Sequence, residues 1–134
     1  MEKKIYVGID VSKDTMDVAV HGDQRHWSFT NDQYGNGKIL TMLRGLSPEL
    51  VVLEATGSYE VPLAAELGIA GIPIAVVNPR QIRDFARSVG MLAKTDILDA
   101  RIIARFAATV QPTPRPIPDT EARNSVLSHL VGDR

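Results

Sequence analysis

Four carboxylates sit at positions where acids can do chemistry. Asp10 closes the stretch "KKIYVGID", Glu54 closes "ELVVLE", and Asp96 and Asp99 lie three residues apart in "KTDILDARIIARFA". Each of the first two ends an apolar run, and strand ends are where sites gather in α/β sheets. An acid fused to a buried strand, as Glu54 is, costs free energy unless it is paired or liganded. If the four converge, they repel and raise one another's pKa. The usual compensation is a hard divalent cation with oxygen ligands, Mg²⁺ or Mn²⁺. Two such ions about 4 Å apart form the arrangement that activates an attacking oxygen and stabilises a leaving one in phosphoryl transfer. A plainer reading stands beside this one. Asp96 and Asp99 in the first turn of a helix suit the helix dipole, and for those two alone that is sufficient.

Other reactive residues offer less. There is no cysteine, which excludes disulfides, thiolate catalysis and cysteine zinc sites. His21, His26 and His129 share no metal-ligand spacing and receive no role. Ser12 and Ser58 follow the acidic strands, but neither has a histidine in a triad-like setting. Asp14 and Asp17 compete weakly: Asp17 alternates with Met16 and Val18 and reads as a solvated strand residue. Asp84 lies among arginines and reads as an ion-pair partner. Met16 and Trp27 read as core or sheet-face residues.

A basic component flanks the acids. Arg80, Arg83 and Arg87 are spaced three and four apart, on one helix face; Lys94 precedes Asp96, and Arg101 and Arg105 follow Asp99. The plain reading is a solvated surface face. The alternative is a phosphate-tracking stripe beside an acidic pocket. In that alternative Lys13, Arg80, Arg83, Arg87, Lys94 and Arg101 are the candidate nucleic-acid-binding residues.

The elements that must position these groups follow from periodicity. "KKIYVGID", "TMDVAVHG" and "RHWSFTN" alternate as three short strands joined by tight turns, an antiparallel meander. "YGNGKILTMLRGL" has helical spacing, "ELVVLEATG" is a strand covered on both faces, and "YEVPLAAELGIAG" is a short helix ending in glycines. "IPIAVVNP" is a further buried strand. "PRQIRDFARSVG" is a helix with Pro79 in its first turn and Gly90 as terminator. After the linker "MLAK", "TDILDARIIARFAATV" is the last strong helix, with Thr95 as its expected N-cap. The order βββαβαβα(α) predicts an α/β ribonuclease H-like fold, a mixed five-stranded sheet with helices on both faces. The first and fourth strands are neighbours in that topology, so Asp10 and Glu54 should emerge together. The ATPase fold of sugar kinases and actin begins the same way, so order alone does not decide function.

The bulk properties bound the rest. The 134 residues, 44% hydrophobic, suffice for one domain with a core. A formal net charge of −1 gives no global sign of a nucleic-acid or membrane partner, although a local patch can hide in a balanced total. No signal peptide or membrane span is visible, so an intracellular protein is the default. "QPTPRPIPD" carries four prolines in nine residues and cannot be packed helix or central strand. "TEARNSVLSHLVGDR" then begins a helical pattern that stops at Arg134 without a cap. The expected organisation is a domain at 1–110, a Pro-rich linker at 111–119, and the start of a truncated helical region at 120–134. The chain reads as the N-terminal piece of something longer.

Four stretches, "YVGIDVSKDTMDVAV", "LEATGSYEVPLAAEL", "VVNPRQIRDFARSVG" and "AKTDILDARIIARFA", resemble in order and spacing the N-terminal domain of the DEDD insertion-sequence transposases, relatives of the Piv pilin-gene invertases. "KTDxxDA" after "VVNP" is the specific part; "GIDVSK" alone is not. The resemblance implies a RuvC-like domain similar to the Holliday-junction resolvase, whose acidic tetrad falls on Asp10, Glu54, Asp96 and Asp99. It implies Mg²⁺-dependent DNA strand cleavage and exchange in a prokaryotic cytoplasm. It also implies that 1–110 is the catalytic metal-binding domain, with a nucleophilic serine from a separate C-terminal domain, a structured guide RNA, and assembly as a dimer or tetramer partly through the helical region begun at 120–134. The alternative with the same tetrad is a stand-alone Holliday-junction resolvase or nuclease. A sugar-kinase-type ATP-binding domain would need a glycine-bearing phosphate loop after Asp10, where "DVSKD" has none. A non-catalytic binding module of the same fold would have lost an acid, and none is lost.

Overall fold

A computed structural model describes residues 3–91 and 98–115. Five strands and four helices follow one another: β1 (Tyr6–Val11), β2 (Thr15–Val20), β3 (His26–Thr30), α1 (Gln33–Leu46), β4 (Leu50–Glu54), α2 (Val61–Ile69), β5 (Ile74–Val77), α3 (Pro79–Ser88) and α4 (Ala100–Val110). They form one mixed sheet of order β3-β2-β1-β4-β5. The β1–β2 and β2–β3 pairs are antiparallel, while β1–β4 and β4–β5 are parallel. The expected fold class and the adjacency of β1 and β4 are therefore both present.

The pleat divides the apolar residues of β1 and β4 between two cores. Val7, Ile9 and Val11 join Val51 and Leu53 against Ile39 and Leu43 of α1 and Leu63 and Leu67 of α2. On the opposite face Tyr6, Leu50 and Val52 meet Ile82 of α3 and Ile103 and Phe106 of α4. Helices thus cover both faces, which is why the central strands read as continuous apolar runs. The free edge of β5 is met by the beginning of the Pro-rich segment, where Arg115 bridges to Ala75 in parallel. Such a contact suits an edge, because proline cannot donate into a ladder.

α4 lies unusually close to the sheet. A Cβ on Gly8 would meet the amide nitrogen of Ala104 at 2.2 Å and the carbonyl oxygen of Ala100 at 2.5 Å. Ala19, Ala100 and Ala104 pack together beside this contact. Small residues at these places on β1, β2 and α4 let helix and strand backbones approach.

The start of α4 differs from the sequence expectation. Thr95 was the expected cap and lies outside the described residues, as do Lys94, Asp96 and Ile97. The observed N-cap is Asp99: its backbone is extended, and its side chain accepts a hydrogen bond from the Ile102 amide at 3.0 Å. Both residue types suit an N-cap, and composition could not choose between them. Asp99 therefore precedes the helix instead of projecting from its first turn. The helical pattern at 120–134 also lies outside the described residues. Among the described residues, no helix is long and apolar enough to cross a membrane.

Candidate functional site

Asp10 and Glu54 arise from the same alternation that divides the cores. Counting from Tyr6 and Gly8, Asp10 falls on the face of β1 that α4 covers. From Leu50 and Val52, Glu54 falls on that same face of β4. Both strands run parallel, so both carboxylates leave the sheet at its C-terminal edge. α4 begins above that edge, and its N-cap brings the Asp99 carboxylate to it. The close approach at Gly8 fixes how near Asp99 comes to Asp10.

The electrostatics record this convergence. The Asp10 carboxyl is pushed above its ordinary pKa of 3.8, first by burial and then by the negative charges of Asp17 and Asp99. Glu54 is pushed above its ordinary 4.5, first by burial and then by Asp10; Arg83 acts against this, and Glu60 adds to it. Two partly buried acids thus each sit in the field of other carboxylates, where charge is hard to hold without a counter-ion.

Asp99 is shared between two tasks. One carboxylate oxygen caps α4, and the other lies 3.6 Å from the Arg101 guanidinium. Among the described residues, no three His, Asp or Glu side chains stand close enough together to hold a metal ion. The donor chemistry nevertheless suits a hard cation, since every candidate ligand is a carboxylate oxygen. The fourth expected ligand, Asp96, lies outside the described residues.

Asp17, expected to be a solvated strand residue, and Glu60 and Asn31, which local spacing does not single out, belong to these surroundings. Asp17 stands directly opposite Asp10 in the β1–β2 register. It is partly buried, not a freely solvated strand residue, and it accepts a hydrogen bond from the Ser28 hydroxyl. The alternation placed it correctly opposite Met16 and Val18, but that face is the one α4 partly covers. Glu60 is buried, at 7% exposure, behind Glu54. It accepts hydrogen bonds from the Thr56 amide at 2.9 Å and the Thr56 hydroxyl at 2.6 Å, closing the loop after β4 on itself. Gly57, at φ +100°, supplies the left-handed turn which that loop requires. Asn31 donates from its side-chain amide to the carbonyls of Ser12 at 2.8 Å and Tyr59 at 3.2 Å. It ties together the two loops that follow the acidic strands.

The expected basic residues divide into two groups. On α3, Arg83 lies near Glu54, and Arg87 pairs with Asp84 at 3.6 Å, the partner expected from sequence. Arg80 is exposed at the start of the same helix. Lys13 is exposed at the tip of the β1–β2 turn. On α4, Arg101 borders a recess of about 240 Å³ whose lining also includes Asp17, His26 and Asp99. His26, given no role from spacing, therefore lies beside the acids.

Known proteins match the chain in family and in fold. The family model of the DEDD transposases of the IS110 type, described as a transposase, matches residues 7–134. The chain is 33% identical over 115 residues to the pilin gene-inverting proteins of Moraxella bovis and Moraxella lacunata. Those matches cover 81% of this chain but 36% of each relative, so the chain spans little more than a third of their length. Among solved structures, RuvC of T. thermophilus in complex with a Holliday junction substrate superposes with a TM-score of 0.55 at 16% identity, covering 84% of this chain and 99% of that one. A second Thermus thermophilus RuvC structure gives 0.53 at 17% identity, covering 82% and 98%.

Proposed function

The chain belongs to the DEDD transposase family, and from that premise we propose that it is the metal-dependent catalytic domain of a DNA transposase or site-specific recombinase. The observation that supports this reading is pairwise: Asp10 and Glu54 end neighbouring parallel strands, Asp99 acts on Asp10 and Asp10 on Glu54, and burial first of all holds both strand-end carboxyls above their ordinary pKa values. In this reading Asp10, Glu54, Asp96 and Asp99 hold Mg²⁺ or Mn²⁺. When bound, the ions would activate the attacking oxygen and stabilise the leaving oxygen of a phosphodiester.

The chain's own residues supply position and charge. β1 and β4 present two carboxylates from rigid parallel strands, and rigid elements place ligands more precisely than loops do. The α4 cap fixes Asp99. Asn31 and Glu60 hold the loops after β1 and β4 so that the strand ends do not splay. Lys13, Arg80, Arg83, Arg87, Lys94 and Arg101 contribute positive charge for phosphates on either side of the scissile one.

Residues 1–110 act as the catalytic unit, 111–119 as a linker, and 120–134 as the start of a helical oligomerisation region. Full strand exchange draws on a serine supplied outside this domain. It is directed by a structured RNA and carried out by a dimer or tetramer on DNA. The resolvase alternative uses the same tetrad without that serine.

Cleavage of supercoiled and branched DNA by the full-length protein, with Mg²⁺ and with EDTA, tests the reading. Metal-dependent nicking that disappears in Asp10→Asn and Glu54→Gln is the expected result. Cleavage that persists in EDTA, or in both variants, would refute it. Resolution of branched DNA without any contribution from the serine would favour the resolvase.

A further inference from the structure

Two basic surfaces flank the carboxylates, and each carries an arginine already paired with an acid, Arg87 on α3 and Arg101 on α4. On α3, Arg87 is paired with Asp84 and Arg83 lies in the field of Glu54. On the other side, α4 presents Arg101, 3.6 Å from the Asp99 carboxylate, and one turn on Arg105, towards the turn between β2 and β3. An open groove of about 580 Å³ separates α4 from that turn, with Val20 and Met91 as its apolar lining and His21, Gln24, Arg101 and Arg105 as polar lining. At Arg101 it meets the recess that contains Asp17, His26 and Asp99. The groove therefore leads directly away from the acidic site.

Its charge is set by which acids are free. Asp23 lies in the groove, but both of its carboxylate oxygens accept from the Arg25 guanidinium, at 3.1 and 2.8 Å, and one also accepts from the Arg25 amide. Arg25 holds the Asp23 carboxyl down to a pKa of about 2. Arg105 is only partly exposed, and it forms no ion pair or hydrogen bond with any other described residue. A guanidinium partly withdrawn from water, with no anion beside it among the described residues, is poised to receive one. Its planar fork suits two oxygens of a phosphate.

We infer that this groove is the path of a nucleic-acid strand entering or leaving the carboxylate site, with Arg105 binding a backbone phosphate and Arg101 the next one towards Asp99. The inference rests on the reading of the domain as a DNA-cleaving enzyme and adds the side on which the strand runs.

Binding of a short fluorescein-labelled DNA duplex to the full-length protein, titrated at several salt concentrations in EDTA, tests it without the metal. Arg105→Ala should bind about tenfold more weakly, with the slope of log affinity against log salt reduced by about 1. Arg105→Lys should restore the slope but not the whole affinity. Arg105→Gln, which keeps the side-chain stem, should reproduce the alanine defect and separates lost charge from lost packing. If the wild type cleaves DNA with Mg²⁺ while these variants bind with unchanged affinity and slope, the groove is not the path and the catalytic reading stands. A wild type that cleaves with Mg²⁺ but shows no binding in EDTA overturns the groove in the same way. A wild type that neither binds nor cleaves DNA overturns both.

Discussion

Gly8 of β1 and Ala104 of α4 approach so closely that a methyl group on Gly8 would lie 2.2 Å from the Ala104 amide nitrogen. The neighbouring backbone of Ala100 and Ile103 is almost as near. The obstacle is main chain, not a side chain that can swing away, so α4 must move to accommodate any Cβ. Asp10 lies two residues after Gly8 on the same face, and Asp99 caps the helix that would shift.

Gly8→Ala should therefore damage both packing and the acidic site. Overpacking of this kind costs about 1–3 kcal/mol, readable as a lower midpoint in urea. The variant should also lose most of any stabilisation by Mn²⁺, because Asp99 is carried away from Asp10. Wild-type stability together with a wild-type metal response would mean that the contact does not set the site.

The raised pKa values of Asp10 and Glu54 give a pH signature. In the folded protein both carboxyls keep their protons above 3.8 and 4.5, their ordinary values. Between those values and the raised ones the native state binds more protons than the unfolded chain, so stability falls as pH rises through the window. Below the ordinary values this penalty is absent. Asp10→Asn in EDTA should then melt a few degrees higher than wild type at neutral pH, and the gain should shrink towards zero in acid. A melting temperature unchanged or lowered at neutral pH would show that Asp10 is not under electrostatic stress.

Asp17 faces Asp10 across the β1–β2 pair and is held by Ser28. It adds negative charge to the site without being one of the four proposed ligands. Asp17→Asn should weaken Mn²⁺ binding by about tenfold, the scale of a supporting residue, whereas Asp10→Asn should abolish it. Isothermal titration separates the two. Equal loss in both variants would make Asp17 a ligand, and no loss would make it a bystander.

The sheet was legible because its strands are either alternating or wholly apolar, and because glycine, asparagine and proline punctuate them. Asp10 and Glu54 were legible as acids at the ends of such runs. The start of α4 was not, because Thr95 and Asp99 both have side chains that cap helices, and the choice depends on where Gly8 lets the helix rest. Asp17 was misplaced in environment although not in direction: its face is covered by a helix remote in sequence. Glu60 and Asn31 gave no signal. Their roles arise only when the loops after β1, β3 and β4 meet, and nothing in local spacing records that meeting. The groove beside Arg105 is likewise formed between α4 and the β2–β3 turn, about 80 residues apart in the chain.

The most direct test of a metal-holding carboxylate site is the melting temperature of wild type and Asp99→Asn with and without millimolar Mn²⁺. Asparagine caps helices as well as aspartate does, so this variant keeps α4 in place and removes only the charge. A ligand that binds the folded state well above its dissociation constant stabilises it by about 2–4 kcal/mol. Mn²⁺ should raise the wild-type melting temperature by several degrees and leave Asp99→Asn unmoved. An equal rise in both proteins, or none in the wild type, would contradict a metal site built on Asp10, Glu54, Asp96 and Asp99.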